Sequence, residues 1–78
     1  MNEQQKIRFR NSHPTALRLH VEPWGEEYEL SSSAVVEIVA TGPPGKALEF
    51  EVSDSGVTVY GWEGSVVHVF MDGRELST

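Results

Sequence analysis

The 78-residue sequence contains no cysteine. This absence excludes disulfide bonds, a thiol nucleophile, iron–sulfur ligation and any zinc site that is built from thiolates. It also excludes a blue-copper centre, which small β-sandwiches can hold but which requires a Cys ligand. A chain this short buries only about 60% of the surface that its unfolded form exposes. We therefore expect either a compact core that suffices alone or completion by a second subunit.

Basic residues and long apolar runs are also scarce. Six Lys and Arg residues oppose twelve Asp and Glu residues, for a net charge of −6. Nucleic-acid binders typically present a basic surface, so we predict no nucleic-acid partner. No apolar run approaches the roughly 18 residues of a membrane helix, and the polar residues 1–6 lack the apolar segment of a secretory signal. We predict no membrane partner and a cytoplasmic location.

The dominant sequence period is two, which is typical of half-buried β-strands. No segment carries the apolar stripe of an amphipathic helix, and turn-forming residues separate the alternating segments. The alternation recurs in seven segments, 6–10, 17–22, 26–30, 34–41, 48–53, 57–62 and 65–71. This spacing predicts an all-β fold, a small antiparallel β-sandwich of about seven short strands, or alternatively a small β-barrel. The length allows a single domain over 1–78, with flexible tails predicted at 1–5 and 74–78.

Three of these segments make specific structural predictions. Segment 34–41 is the richest in Val and Ile, and its period places Val36, Ile38 and Ala40 on a core face. Segments 48–53 and 57–62 are joined by residues that predict a tight hairpin, in which Gly56 supplies a positive φ.

Two predicted strands are apolar on the face opposite the core as well. Val35 and Val39 fall on that face of segment 34–41, and Val66 and Phe70 on that face of segment 65–71. Such strands are either covered on both sides or form an exposed apolar patch. A two-layer domain of this length cannot easily cover both sides. We therefore predict a surface that includes Val35, Val39 and Phe70 and contacts a protein partner or a second copy of the chain.

Three aromatic residues are further candidates for binding. Trp24 lies in a Pro-Trp-Gly turn, and the alternation places Tyr60 and Trp62 opposite the core side of their strand. Exposed Tyr and Trp are typical interface anchors, so these residues predict a protein contact surface. Alternatively, Trp24 and Trp62 form a stacking platform for a carbohydrate or small ligand. A third interpretation is that both tryptophans close the ends of the sandwich as core side chains.

Charge is distributed unevenly along the chain. Lys6, Arg8, Arg10 and Arg18 precede a segment, 19–73, that carries ten acids and one base. If the first two strands are neighbours, their polar faces form a basic patch, and strands three to five present an acidic face. These faces are either solvated surfaces that protect the strand edges or binding faces. An acidic face would suit an antidote-type inhibitor of a basic protein.

No motif predicts catalysis. There is no Gly-x-Ser-x-Gly elbow, and the prolines of Gly42-Pro43-Pro44-Gly45 remove the backbone donors that a phosphate loop needs. His20 and Glu22 are spaced for chelation on one strand face, with His68 as a conceivable third ligand. Ordinary strand histidines explain the same pattern. We predict a non-enzymatic protein with no catalytic residues, no metal and no cofactor.

The segments 22–30, 36–38 and 57–62 together give a Glu-Pro-Trp-Gly…Gly-Trp pattern. This pattern resembles small bacterial β proteins of similar length for which no activity is known, and the likeness extends over residues 7–73. Ser31-Ser32-Ser33 departs from the Pro-Pro-Gly turn that such proteins often have before the fourth strand. The resemblance implies a shared Pro-Trp-Gly loop and assigns no catalytic residue.

Overall fold

The computed structural model, which describes residues 1–77, confirms the all-β prediction and contains no helix within that range. The seven predicted segments appear as β1 to β7 with small shifts of their ends, and a two-residue strand follows them. The strands are β1 (Glu3–Arg10), β2 (Leu17–Glu22), β3 (Glu26–Leu30), β4 (Val35–Gly42), β5 (Glu49–Ser53), β6 (Gly56–Tyr60), β7 (Val66–Met71) and β8 (Arg74–Glu75).

The strands form two four-stranded sheets. Sheet A has the order β1-β4-β7-β8 and sheet B the order β3-β2-β6-β5. This arrangement is the predicted β-sandwich rather than the alternative barrel. Every pair in sheet A is antiparallel, but β2 and β6 pair in parallel, with Leu19 opposite Val57. The expectation of a wholly antiparallel fold is therefore corrected for sheet B, which is mixed.

The core lies between the two sheets. Seven large side chains are less than 2% exposed, and both sheets contribute to them: Leu19, Leu30, Ile38, Val21, Val36, Val59 and Val69. The predicted core face of Val36, Ile38 and Ala40 is confirmed, since all three side chains are fully buried. Alternating residues of each strand are thus committed to the interior, and the remaining residues form two outer faces.

Several residues of the two predicted tails take part in strand pairing. Glu3–Gln5 belong to β1 and pair with residues 40–42 of β4. At the other end, Arg74 and Glu75 pair with β7, and the Leu76 amide donates to the Val69 carbonyl at 2.8 Å. Backbone pairing with a neighbouring strand holds these polar segments although they have little apolar surface to bury. Thr78, which belonged to the predicted C-terminal tail, lies outside the described residues.

A buried asparagine organises the crossing from sheet A to sheet B. Asn11 follows β1 and is 2% exposed. Its side-chain amide donates to the carbonyls of Thr15, Leu30 and Ser31 at 3.1–3.2 Å. Its Oδ1 accepts from the backbone N–H of His13 at 3.0 Å. One side chain therefore joins the β1–β2 connection to the end of β3.

We predict that Asn11→Ala lowers the free energy of unfolding by roughly 2–4 kcal/mol, because it leaves a buried N–H group and buried carbonyls without partners. Urea denaturation measures the change. Asn11→Asp keeps the acceptor but turns a carboxylate toward three carbonyl oxygens, so it should destabilise at least as much. Asn2→Ala, at an exposed position, is the control. Wild-type stability of Asn11→Asp would contradict this role for the amide.

The β5–β6 hairpin depends on a glycine, as predicted. Gly56 has φ +130°, and a Cβ atom there would lie 2.1 Å from the Arg18 carbonyl oxygen of β2. The absence of a side chain therefore lets β6 approach β2 at the start of their parallel pairing.

We predict that Gly56→Ala destabilises the protein by more than about 3 kcal/mol, since left-handed strain of roughly 1–2 kcal/mol adds to a backbone clash. Gly45→Ala is the matched control: Gly45 has φ +90°, and a Cβ atom there would have no neighbour within 4 Å, so only the strain applies. Thermal or urea unfolding compares the two variants. Equal costs would show that the contact with Arg18 is unimportant.

Candidate functional site

The outer face of sheet A carries the apolar residues that the sequence singled out. In the strand register, the outward residues of β4 lie between those of β1 and those of β7. We call this surface face A. It consists of Lys6, Arg8 and Arg10 from β1, Val35, Glu37, Val39 and Thr41 from β4, and Val66, His68 and Phe70 from β7. Neither sheet covers it, because the core lies on the other side of sheet A.

The centre of face A is apolar. Val35, Val39 and Phe70 are half-buried, and Val66 is 54% exposed. The structure therefore brings the predicted residues Val35, Val39 and Phe70 together on one surface. An open depression of about 630 Å³ lies at one end of it, lined by Arg8, Val35, Glu37, Phe70, Asp72 and Gly73.

Cations outnumber carboxylates on face A. Lys6 Nζ lies 4.0 Å from Glu37 Oε1. On the opposite side, His68 Nδ1 lies 2.6 Å from Oε2 of Glu75, the β8 residue that pairs with Phe70. Face A thus carries three cations and one carboxylate, with the carboxylate of Glu75 beside it, whereas the whole chain has a net charge of −6. Face A therefore combines an apolar centre with cations.

Trp24 extends the apolar surface around the end of β7. Its side chain is 47% exposed. The ring lies over Gly61, where a Cβ atom would be 2.8 Å from Trp24 Cη2. A shallow depression joins it to face A, lined by Trp24, Glu26, Ser65, Val66 and Val67. Trp24 and the centre of face A were separate candidates in the sequence, and the structure places Val66 between them.

Trp62 is not on an accessible surface. It is 8% exposed, and its Nε1 donates to the Pro43 carbonyl at 2.8 Å. Its backbone N–H donates to Ser65 Oγ at 2.9 Å. The alternation predicted an outward side chain, but β6 ends at Tyr60 and the chain turns before Trp62. The outward orientation is therefore wrong for Trp62, which is a core side chain as the third interpretation expected, whereas Trp24 is exposed. Tyr60 points outward from sheet B and is 36% exposed.

The outer face of sheet B is acidic. We call it face B, and it consists of Arg18, His20 and Glu22 from β2, Glu27 and Glu29 from β3, Glu49 and Glu51 from β5, and Thr58 and Tyr60 from β6. Arg18 Nε lies 3.3 Å from Glu27 Oε1. The predicted basic patch is therefore divided, because β1 and β2 belong to different sheets. The acidic face predicted for strands three to five is also divided, because Glu37 of β4 lies on face A.

Both tyrosine phenols are held in their neutral form. The Tyr60 hydroxyl donates to Glu51 Oε1 at 2.8 Å, and this hydrogen bond is the main reason that the pKa of Tyr60 is raised. Partial burial raises the pKa of Tyr28, and the neighbouring Glu26 carboxylate adds to the increase. Each phenol has a single O–H, which it donates to a neighbouring glutamate, Tyr60 to Glu51 and Tyr28 to Glu26, so neither hydroxyl acts as a general base in this arrangement.

The histidines do not converge on a metal site. His20 lies on face B, 3.6 Å from Glu27, and His68 lies on face A beside Glu75. The two rings therefore occupy opposite sides of the sandwich, which rules out His68 as a third ligand for the His20–Glu22 pair. Among residues 1–77, no three His, Asp or Glu side chains are grouped as a metal site would require.

The same residues contain no helix long and apolar enough to cross a bilayer.

We predict that the two tryptophans differ in solvent access. In the wild-type protein, acrylamide should quench one emission component readily and leave a second, blue-shifted component. Trp24→Phe should remove the quenchable component and leave only the protected emission of Trp62. The melting temperature of Trp24→Phe should stay close to that of the wild type, because the ring is half exposed. Easily quenched emission from Trp24→Phe would contradict the burial of Trp62.

Comparisons with protein-family models, with curated proteins and with solved structures found no match for this chain. The resemblance to small bacterial β proteins stays a prediction, and the surfaces of the molecule carry the functional interpretation.

Proposed function

We propose that this chain is a non-enzymatic protein-binding module and that face A is its contact surface. The observation that carries the proposal is the apolar centre formed by Val35, Val39 and Phe70 on the outside of a two-layer domain. Val66 and Trp24 continue this surface and are about half exposed. Contiguous apolar surface on a small protein is typical of a protein interface.

The composition of face A resembles that of an interface core with a polar rim. Aromatic residues and arginine are enriched in such interfaces, and Phe70 and Trp24 are large enough to act as anchors. Burial of apolar area contributes about 25 cal/mol per Å² before the costs of association. The three cations of β1 lie along one side, so a partner with apolar residues opposite β4 and β7 and carboxylates opposite β1 would fit.

The shape of the surface favours binding over catalysis. The depressions on face A and beside β8 are open to solvent. Enzyme sites usually enclose their substrate and perturb the pKa of a catalytic acid or base. A broad, open surface with an apolar centre instead suits contact with another protein.

A second candidate function rests on face B. Its five glutamates, Glu22, Glu27, Glu29, Glu49 and Glu51, would suit the surface of a basic protein, as an antidote-type inhibitor would require. The carbohydrate-binding alternative has less support, because the burial of Trp62 leaves Trp24 as a single ring.

Site-specific photo-crosslinking tests the proposal. A benzophenone analogue of phenylalanine replaces Phe70 on face A or, as the matched aromatic control, Tyr60 on face B. Cells that produce the chain are irradiated, and adducts are identified by mass spectrometry. We expect one discrete protein adduct from position 70 and none from position 60, because only face A has an apolar centre.

A second variant tests whether the adduct at position 70 depends on the apolar centre of face A. Val39→Glu places a charge at the centre of face A without entering the core, so it should abolish the adduct at position 70 while the protein stays folded. An adduct at position 60 alone would favour the acidic-inhibitor function. The absence of adducts at both positions would overturn the protein-binding proposal.

A further inference from the structure

The edge strands β1 and β5 lie along one open side of the sandwich. These strands are the outer strands of sheet A and sheet B, respectively. Near the start of both strands, the side chain of Gln5 in β1 bridges to the residues that lead into β5. Its Nε2 donates to the Lys46 carbonyl at 2.7 Å, and its Oε1 accepts from the Leu48 N–H at 2.9 Å. The two edges therefore lie on the same side of the molecule.

Two apolar residues beside this opening face the core side yet remain exposed. Ile7 pairs with the buried Ile38 and is 41% exposed. Val52 pairs with Val57, which packs against the core, and Val52 is 80% exposed. Apolar residues with this orientation on the central strands are buried or half-buried, so the sandwich lacks cover along this edge. Exposed apolar residues at an unpaired strand edge favour pairing with another strand.

The direction of β1 and β5 and their contact near Gln5 place charged residues of the two strands at the same level along the strand direction. Both strands run away from the contact between Gln5 and Leu48. Counted from that contact, Lys6 lies level with Glu49 and Arg8 with Glu51. These four side chains point outward from their sheets. The edge formed by β1 is therefore cationic and the edge formed by β5 is anionic. The opposite charges lie at the same level along the two strands.

We propose that a second copy of this chain binds along this open side, with the twofold axis parallel to the strands. In that arrangement, β1 of each copy pairs in parallel with β5 of the other, and sheet A of one copy continues into sheet B of the other. Arg8 then faces Glu51 of the second copy, and Lys6 faces Glu49 of the second copy. Ile7 and Val52 become enclosed between the joined sheets.

The charges select this arrangement over its alternatives. A twofold axis perpendicular to the sheets would pair β1 with β1 and β5 with β5, which opposes like charges. A head-to-tail contact would leave one β1 edge and one β5 edge unpaired. Since both edges lie on the same side, the proposed contact forms twice and closes as a dimer. This interface shares Lys6 and Arg8 with face A but lies along the edge of β1, away from the apolar centre of Val35, Val39 and Phe70, and it does not depend on the proposed function.

Paired charge reversals test the proposal by sedimentation velocity over a concentration series at constant salt. The wild type should form dimers as its concentration rises. Arg8→Glu or Glu51→Arg alone should weaken dimerisation roughly tenfold or more, because each opposes like charges at both contacts. An equimolar mixture of the two variants should form a heterodimer, since one of its two contacts keeps the wild-type charges and the other joins the reversed pair.

Two further variants serve as controls. Arg18→Glu makes the same charge change on face B and should leave the dimer unchanged. Tyr60→Phe removes the hydrogen bond to Glu51 without changing charge and should also dimerise as the wild type does. Recovery in the mixture shows that both single variants are folded, so it separates the charge effect from misfolding.

Three results would overturn the proposal. One is a wild-type protein that stays monomeric up to millimolar concentration. Another is a mixture of Arg8→Glu and Glu51→Arg that stays monomeric although the wild type dimerises. The third is a dimer that Val39→Glu disrupts and Arg8→Glu does not. That result would locate self-association on face A and would support the proposed function. The dimer through β1 and β5 can therefore be overturned without overturning the protein-binding function of face A.

Discussion

The buried amide of Asn11 holds the chain at the point where it leaves sheet A for sheet B. Its hydrogen bonds to Thr15, Leu30 and Ser31 connect segments that are distant in sequence. The backbone adds to the same connection, because the Asn11 N–H donates to the Ala34 carbonyl at 2.9 Å. These hydrogen bonds fix the connection between the sheets, so that β1 pairs with β4 in sheet A and β2 pairs with β3 in sheet B. A fully bonded polar group in a small core thereby favours one arrangement of strands over others.

The separation of charge follows from that crossing. Because β1 and β2 lie in different sheets, the cations of β1 are on face A and Arg18 is among the glutamates of face B. An N-terminal excess of positive charge in the sequence thus becomes a difference between opposite sides of the molecule. The acidic side favours solubility. The other side combines an apolar centre with the cations of β1.

Local patterns in the sequence predicted most of the strands and the core. The period of two is sufficient to place Val36, Ile38 and Ala40 inside, because alternation depends only on the strand itself. Membership of a sheet depends on distant pairing, and the sequence therefore missed both the parallel β2–β6 pair and the position of Arg18. Short-range alternation also failed at Trp62, where the strand had already ended.

The candidate surfaces were predicted in part. Apolar residues on both faces of β4 and β7 indicated face A, since a two-layer domain has only one interior. The role of Asn11 was missed, because a turn-forming asparagine and a buried one look alike in sequence. The polar composition of residues 3–5 likewise concealed their pairing with β4.

The position of Trp24 over Gly61 has a thermodynamic consequence for binding. A side chain that is free in solution loses rotamer entropy when a partner immobilises it, at a cost of order 0.5–1.5 kcal/mol. The Trp24 ring already rests against backbone, in a space where even a methyl group on Gly61 would not fit. Much of its conformational freedom is therefore given up during folding. A partner that contacts this ring meets a preorganised surface, and more of the free energy from apolar burial remains available for affinity.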